Sequence, residues 1–175
     1  LPDGFEPMEG HDDVNSAKYG NYQYSDGSVM VWVPRFDVAF KDGKTIILTA
    51  DEATPAGSDR VQLPAFFNGG SWREGFFIDK YICSNNGRVA SSLKGGRVLS
   101  SRIRNGAKDT PFSSLGGVED NLGGAFSAAK TRGGQFFVSS LQMRVALGML
   151  VVAHRQAATK ETCAWMAADK QWPVG

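Results

Sequence analysis

The chain has 175 residues, of which 42% are hydrophobic and 21% are charged, and these proportions exclude wholesale disorder. Its 19 basic and 18 acidic residues leave a net charge of +1, so no overall charge attracts the chain to nucleic acid or to an anionic membrane. The 21 glycines predict many tight turns and long irregular connections rather than a helical bundle.

Residues 1–27 form the first segment. They are rich in Gly, Asp, Asn and Tyr without sustained periodicity, which predicts an extended N-terminal arm. Tyr19, Tyr22 and Tyr24 stand among polar residues, a pattern that predicts an edge strand within this arm. We place the main domain at residues 28–175.

The next segment predicts a β-hairpin. Ser28–Phe40 is dense in β-branched and aromatic residues, and Asp42-Gly43 separates it from a second such run, Thr45–Thr49. Because Pro34 cannot donate a ladder hydrogen bond, the first run is either one bulged edge strand or two strands that break at the proline.

The middle of the chain alternates irregular segments with short strands. Residues 50–75 are irregular, and Phe76–Ser84 alternates as a strand. Arg88–Gln135 predicts a long ordered loop with a short strand at Arg97–Ile103, and loops of this length usually carry function or contact a partner. A basic run in this loop lacks interleaved aromatics, which favours a solvated face over a nucleic-acid surface: Lys94, Arg97, Arg102, Arg104 and Lys108.

The C-terminal part predicts two helices. Ser139-x-x-Gln142 matches a capping box, and Leu141–Ala153 is apolar on nearly every side, which predicts a buried helix. A second helix is expected from Thr159, as N-cap, to about Lys170. Strands that precede helices, with long connections, predict an α+β fold.

Searches for catalytic and metal-binding motifs find no nucleophile elbow, no P-loop and no zinc-protease helix. Asp109, Glu119 and Asp120 offer oxygen ligands, but they lack the dense spacing of a calcium-binding loop. We therefore predict no metal and no cofactor, with calcium as an alternative that no motif supports.

Two cysteines, Cys83 and Cys163, show no C-x-x-C spacing, so they are predicted as buried free thiols, with a mutual disulfide as the alternative. Cys83 as a nucleophile would need a base, and only His11 and His154 are present. A core role is the favoured interpretation for Cys83.

Trp72 and Arg73 are the candidate ligand-binding residues. They follow the Asn68-Gly69-Gly70 turn, and Trp and Arg are enriched in binding hot spots. The alternative is a tryptophan that folds back over the following strand.

Several motifs resemble those of formylglycine-generating-enzyme-like domains. Met30-Val31-Trp32-Val33-Pro34 resembles the family's opening strand, and Phe76-Phe77-Ile78-Asp79-Lys80-Tyr81 resembles its Phe-x-Ile-Asp-Lys-Tyr strand, although Ile82-Cys83 replaces the usual Glu-Val. Thr162-Cys163-Ala164-Trp165 is similar to the family's Thr-x-x-Glu-Trp helix, and Pro173-Val174-Gly175 to a following turn.

This resemblance implies a C-type-lectin-like α+β domain with a twisted antiparallel sheet, two helices near the C-terminus and long irregular loops. The family's catalytic cysteines and calcium ligands would lie beyond Gly175, so no residue here inherits an enzymatic role, and the domain would be completed by a longer or a second chain. Phage members of this fold include receptor-binding proteins at tail-fibre tips.

From the resemblance we expect a non-enzymatic bacteriophage virion protein that binds a host-cell receptor, a glycan or a protein, at a tail fibre or capsid surface. Arg88–Gln135 would supply the contact surface. The alternative is a structural virion protein, a capsid decoration or tail component, whose arm and loops mediate subunit assembly. Either protein would contact other virion subunits as a homo-oligomer, without nucleic acid or membrane insertion. An enzyme of the same fold is disfavoured.

Overall fold

A computed structural model describes residues 1–101 and 109–157, which combine small, mostly antiparallel sheets with two helices. The predicted α+β class is confirmed. The helices are α1 (Leu122–Lys130) and α2 (Leu141–Ala157), with short 3-10 helices at Pro64–Phe66 and Phe112–Leu115. The strands of the described residues are β1 (Phe5–Pro7), β2 (Asn21–Tyr24), β3 (Val29–Pro34), β4 (Asp37–Lys41), β5 (Lys44–Leu48), β6 (Arg60–Gln62), β7 (Phe67–Asn68), β8 (Ser71–Trp72), β9 (Gly75–Asp79), β10 (Ser84–Asn86), β11 (Val89–Ser91), β12 (Leu99–Ser100) and β13 (Thr110–Pro111).

The chain divides into two compact units. Unit 1 comprises Leu1–Val33 and Phe77–Val138, and unit 2 comprises Pro34–Phe76 with the described residues from Ser139 on. Unit 1 contains a sheet of order β1-β2-β3-β9, the β10-β11 hairpin and the parallel pair β12-β13. Unit 2 contains a sheet of order β5-β4-β6 and the β7-β8 hairpin. The helix predicted at Thr159–Lys170 lies outside the described residues.

The N-terminal segment takes part in the main sheet of unit 1. β1 and β2 pair antiparallel, as do β2 and β3, so β2 lies between two strands and not at the edge as predicted. The ring of Phe77 lies 4.2 Å from that of Phe5, 4.8 Å from that of Trp32 and 5.3 Å from that of Tyr22. Such aromatic pairs stabilise beyond the area they bury, so this cluster attaches β1 and β2 to the sheet.

The predicted hairpin is present as β4 and β5 in unit 2. Lys41 pairs with Lys44, and the two turn residues Asp42 and Gly43 have φ angles of 51° and 71°. Positive φ at both positions is what a type I′ turn requires, and its twist matches that of the strands. Of the two alternatives at Pro34, the break into separate strands is the one observed.

Arg60 organises the irregular segment that follows this hairpin. Its Nε lies 2.6 Å from Oδ2 of Asp37, and its Nη atoms donate to the carbonyls of Thr49 and Glu52 at 2.7 Å. Asp37 is buried in β4, and Arg60 begins β6 beside it. The ion pair therefore holds both the edge strand and the loop before it.

The strand predicted at Phe76–Ser84 is too long. β9 ends at Asp79, and β10 begins at Ser84. The N–H of Tyr81 donates to Oγ of Ser92 at 2.9 Å, so this backbone group is satisfied by a side chain rather than a neighbouring strand. The alternating sequence pattern that predicted the strand extends to Ser84, whereas the strand itself ends at Asp79.

The long loop at Arg88–Gln135 is ordered over its described residues, but it contains a helix, α1, that the sequence analysis did not predict. Oδ1 of Asn121 accepts a hydrogen bond from the N–H of Gly124 at 2.8 Å and caps the helix. Residues of this segment, from β11 to α1, form an apolar core in unit 1. The core consists of Ala90, Leu99, Leu115, Val118 and Ala128.

Helix α2 differs from its prediction in its cap and its burial. Oγ of Ser140, not Ser139, accepts a hydrogen bond from the N–H of Met143 at 3.2 Å. Met143 and Ala146 are buried where the helix packs on β5 and on the 3-10 helix of unit 2. Within the described residues Leu141 is 72% exposed and Val152 is 45% exposed, so burial on nearly every side was wrong for this part of the chain.

A buried arginine connects the separate segments of unit 1. The side chain of Arg132 is 3% exposed, and it lies 2.7 Å from Oδ1 of Asp79 and 3.2 Å from Oδ2 of Asp26. It also donates to the carbonyl of Ala90, and its guanidinium lies 4.8 Å from the ring centroid of Phe136. A guanidinium stays charged when buried, so it can be enclosed here only because carboxylates and carbonyls replace the water that would otherwise solvate it.

The first test concerns Gly124. A methyl group on this residue would lie 1.6 Å from the carbonyl oxygen of Glu119, whereas one on Gly148 of α2 would meet nothing within 4 Å. We expect Gly124→Ala to lower the free energy of unfolding by about 1–3 kcal/mol through overpacking. Gly148→Ala should raise it by about 0.5–1 kcal/mol, since alanine favours the helix. Urea denaturation of both variants checks this, and equal effects would contradict the packing described at Gly124.

The second test concerns Arg132. Arg132→Met leaves the Asp79 and Asp26 carboxylates without their cation, and we expect a loss of about 3 kcal/mol in unfolding free energy. Arg132→Lys keeps the charge but not the fork of donors, so its loss should be smaller. The control is Arg144→Met, because Arg144 is exposed and makes one long hydrogen bond, 3.4 Å to Ser139. If Arg132→Met lowers the free energy of unfolding no more than Arg144→Met does, the role assigned to Arg132 is contradicted.

Candidate functional site

The β7-β8 hairpin of unit 2 presents an exposed pair of aromatic rings. Phe67 and Trp72 are paired across the hairpin with ring centroids 5.2 Å apart, and they are 50% and 38% exposed. The turn between them contains Gly69 and Gly70 at φ angles of 62° and 79°. Glycine adopts such angles without strain, so the chain reverses within two residues and places the two rings side by side.

Two arginines accompany this aromatic pair. The guanidinium carbon of Arg35 lies 4.5 Å from the ring centroid of Trp72, within the range of a cation–π contact. The N–H of Arg73 donates to the carbonyl of Phe66 at 2.7 Å, and an Nη of Arg73 is the nearest atom to a methyl placed on Gly69, at 3.5 Å. The candidate site is therefore the group Phe67, Trp72, Arg35 and Arg73, which we call the aromatic hairpin.

The structure places both predicted site residues, Trp72 and Arg73, on this hairpin. Phe67 and Arg35 were not predicted from the sequence. Phe67 carried a usable signal, because it flanks Asn68-Gly69-Gly70-Ser71 on the side opposite Trp72, the arrangement of a two-residue hairpin loop. Arg35 carried none, because it lies far from Trp72 along the chain and reaches it only through the fold.

Cys83 belongs to the interior of unit 1. It packs against the apolar core, and its Sγ lies 3.1 Å from Oδ2 of Asp79 and 3.3 Å from an Nη of Arg132. Burial, followed by the Asp79 carboxylate, raises the pKa of the thiol to about 12 despite the opposing effect of Arg132. A thiol with this pKa holds almost no thiolate at neutral pH, which favours the core interpretation over a nucleophile.

Two of the three candidate calcium ligands, Glu119 and Asp120, have other partners. Asp120 accepts hydrogen bonds from N and Oγ of Ser113 at 2.9 and 2.8 Å, which lower the pKa of its carboxyl, and Glu119 accepts from the Asn121 amide. Across residues 1–101 and 109–157, no three His, Cys, Asp or Glu side chains are grouped to hold a metal ion. That the chain needs no metal stays a prediction.

Comparison with protein-family models, curated proteins and solved structures found no match to this chain. The resemblance to formylglycine-generating-enzyme-like domains therefore stays a prediction. Within the part of the chain described here, no helix combines the length and the apolar character needed to cross a bilayer.

The third test concerns the Cys83 thiol. Iodoacetamide reacts with the thiolate, so a pKa of about 12 predicts alkylation at pH 8 roughly 1,000-fold slower than for an ordinary cysteine of pKa about 8.5. Asp79→Asn removes a negative charge that disfavours the thiolate, so labelling should become faster. Mass spectrometry of the Cys83 peptide measures both rates, and ordinary reactivity in the folded protein would contradict the described environment.

Proposed function

We propose that this chain is a non-enzymatic bacteriophage virion protein with a C-type-lectin-like domain, and that its aromatic hairpin binds a receptor on the host-cell surface. The observation that carries the proposal is the exposed Phe67–Trp72 pair with Arg35 over the tryptophan ring. Large exposed aromatics beside arginine are the residues that contribute most to binding free energy.

The contacts of Trp72 support recognition rather than general adhesion. Trp72 packs against the ring of Phe67 across the hairpin and against the guanidinium of Arg35, so its side chain would lose less conformational entropy on binding than one without contacts. Tryptophan can contact either the face of a sugar ring or an apolar side chain of a protein. Both glycans and proteins of the host surface are therefore candidate receptors.

A structural role in the virion is the second candidate. It is favoured by the exposed apolar residues along α2, Leu141, Val145 and Val152, which are spaced four and seven residues apart and so lie along one side of the helix. A stripe of this kind is suited to contact with another virion subunit, including a further copy of this chain. In this role the protein would assemble without recognising a host.

The fourth test separates these roles. Trp72→Ala removes the central ring, and we expect binding to immobilised bacterial surface polysaccharides, or to whole cells from a panel of species, to fall at least about 10-fold. Phe40→Ala is the matched control, since Phe40 is also in unit 2 and is 49% exposed. Both variants should unfold at temperatures close to that of the parent protein.

If Trp72→Ala and Phe40→Ala bind equally well, the aromatic hairpin is not part of the receptor contact. If the parent protein binds no surface in the panel but forms discrete oligomers that Val145→Lys dissociates, the structural role is the better account. Static light scattering gives the oligomeric state of the parent and of each variant under the same conditions.

A further inference from the structure

Unit 1 contains a surface cavity that shares no residue with the aromatic hairpin. Its volume is about 550 Å³, a size that holds small ligands in proteins. The cavity is lined by residues of the β10-β11 hairpin and of the two segments after it, namely Ser84, Asn85, Gly87, Arg88, Leu93, Gly96, Arg97 and Thr110.

The charge of the lining is positive among the residues that the structure describes. Arg88 and Arg97 are the ionisable residues in this described part of the lining, and it contains no carboxylate. Within the described chain neither arginine has an ion-pair partner, in contrast to Arg60 and Arg132, which are paired with aspartates. Two guanidinium groups without counter-ions beside one cavity attract an anion, which each can bind through a pair of parallel hydrogen bonds.

The wall that carries Arg88 is already ordered. Nδ2 of Asn85 donates to Oγ and to the carbonyl of Ser114, both at 2.9 Å, while its Oδ1 accepts from the N–H of Arg88 at 2.9 Å. Ser84 is buried, and its Oγ donates to the carbonyl of Ser91 at 3.3 Å. These bonds hold the backbone of this wall, from which the exposed side chain of Arg88 extends, so the backbone need not be ordered on binding.

Arg88 also holds an unusual backbone conformation. It follows Gly87 in the two-residue loop between β10 and β11, and its φ is 72°, beside 58° for the glycine. Left-handed angles are uncommon for a long side chain, and glycine would adopt them without strain. Strain of this kind is often found where a side chain is held for function.

We propose that this cavity binds a small anionic ligand, such as an acidic sugar or a sugar phosphate. The carboxylate or phosphate group is held by Arg88 and Arg97, and the uncharged part of the ligand lies against Leu93 and Thr110. The site is independent of the receptor contact proposed for unit 2, because it shares no residue with the aromatic hairpin.

The test is calorimetric titration of the full chain with glucuronate, glucose 6-phosphate, glucose and inorganic phosphate. We expect the two charged sugars to bind at least about 10-fold more tightly than glucose, and their binding to weaken as salt is added. Inorganic phosphate that binds as tightly as glucose 6-phosphate would assign the site to the free anion. Weaker binding would assign it to the sugar-borne group.

Arg88→Gly is the decisive variant, because it removes the guanidinium while giving the turn the residue its φ angle favours. We expect an unchanged unfolding temperature within a few degrees and a loss of affinity of at least about 10-fold. Asp42→Gly is the matched control, since Asp42 has a φ of 51° in a two-residue loop of unit 2 and should leave binding unchanged. Arg97→Gln should weaken binding without touching the turn.

Two results would overturn the proposal. One is glucose binding as tightly as glucuronate, which would show that charge is not what the cavity recognises. The other is an Arg88→Gly variant and an Arg97→Gln variant that both bind the charged sugars like the parent protein. Neither result depends on the receptor contact of unit 2, which the Trp72 variant tests separately.

Discussion

Unit 1 depends on the charge of one buried arginine. Arg132 follows α1, and it binds Asp26 in the β2-β3 turn, Asp79 at the end of β9 and the carbonyl of Ala90 in β11. A guanidinium enclosed to this extent cannot rely on water, so all three segments must be in place together. Desolvation of the charges opposes their attraction, so the contacts of Arg132 contribute less net stability than their number suggests.

The residues that contact Arg132 also contact other polar groups of unit 1. Burial in the apolar core, reinforced by the Asp79 carboxylate, raises the pKa of the Cys83 thiol and keeps it protonated, although Arg132 opposes this shift. Ala90 donates its own N–H to Oγ of Thr131, the residue before Arg132, so β11 is held at two adjacent points. Because β10 pairs with β11, the hairpin that carries Arg88 is also attached to Thr131 and Arg132 through Ala90.

Local signals predicted the turns well and the longer elements less well. Asp42-Gly43 fixes its hairpin through backbone angles alone, without help from distant residues. Helix α1 was missed because Gly123 and Gly124 lower helix propensity, and the reason for Gly124 is a close approach to the Glu119 carbonyl that only the fold creates. The predicted strand at Phe76–Ser84 was too long because the Tyr81 N–H donates its hydrogen bond to the hydroxyl of Ser92, and the local sequence does not show this contact. The same holds for the candidate site. Trp72 could be predicted because it follows a glycine turn in the sequence, whereas Arg35 contacts Trp72 only through the fold.

Tight two-residue turns connect the architecture with both proposed binding surfaces. Among the described residues, three two-residue hairpin loops have positive φ at both positions: Asp42-Gly43, Gly69-Gly70 and Gly87-Arg88. In the second loop the glycines form the turn, and the proposed ligand contacts are made by the flanking rings of Phe67 and Trp72. In the third loop an arginine occupies a position that glycine would fill with less strain, although Asn86-Gly87 already supplies a residue suited to tight turns. The turn geometry accounts for Gly69, Gly70 and Gly87, but it does not require a guanidinium at position 88. The Arg88 side chain lies beside Gly116 at the cavity, where the proposed anionic ligand would contact it.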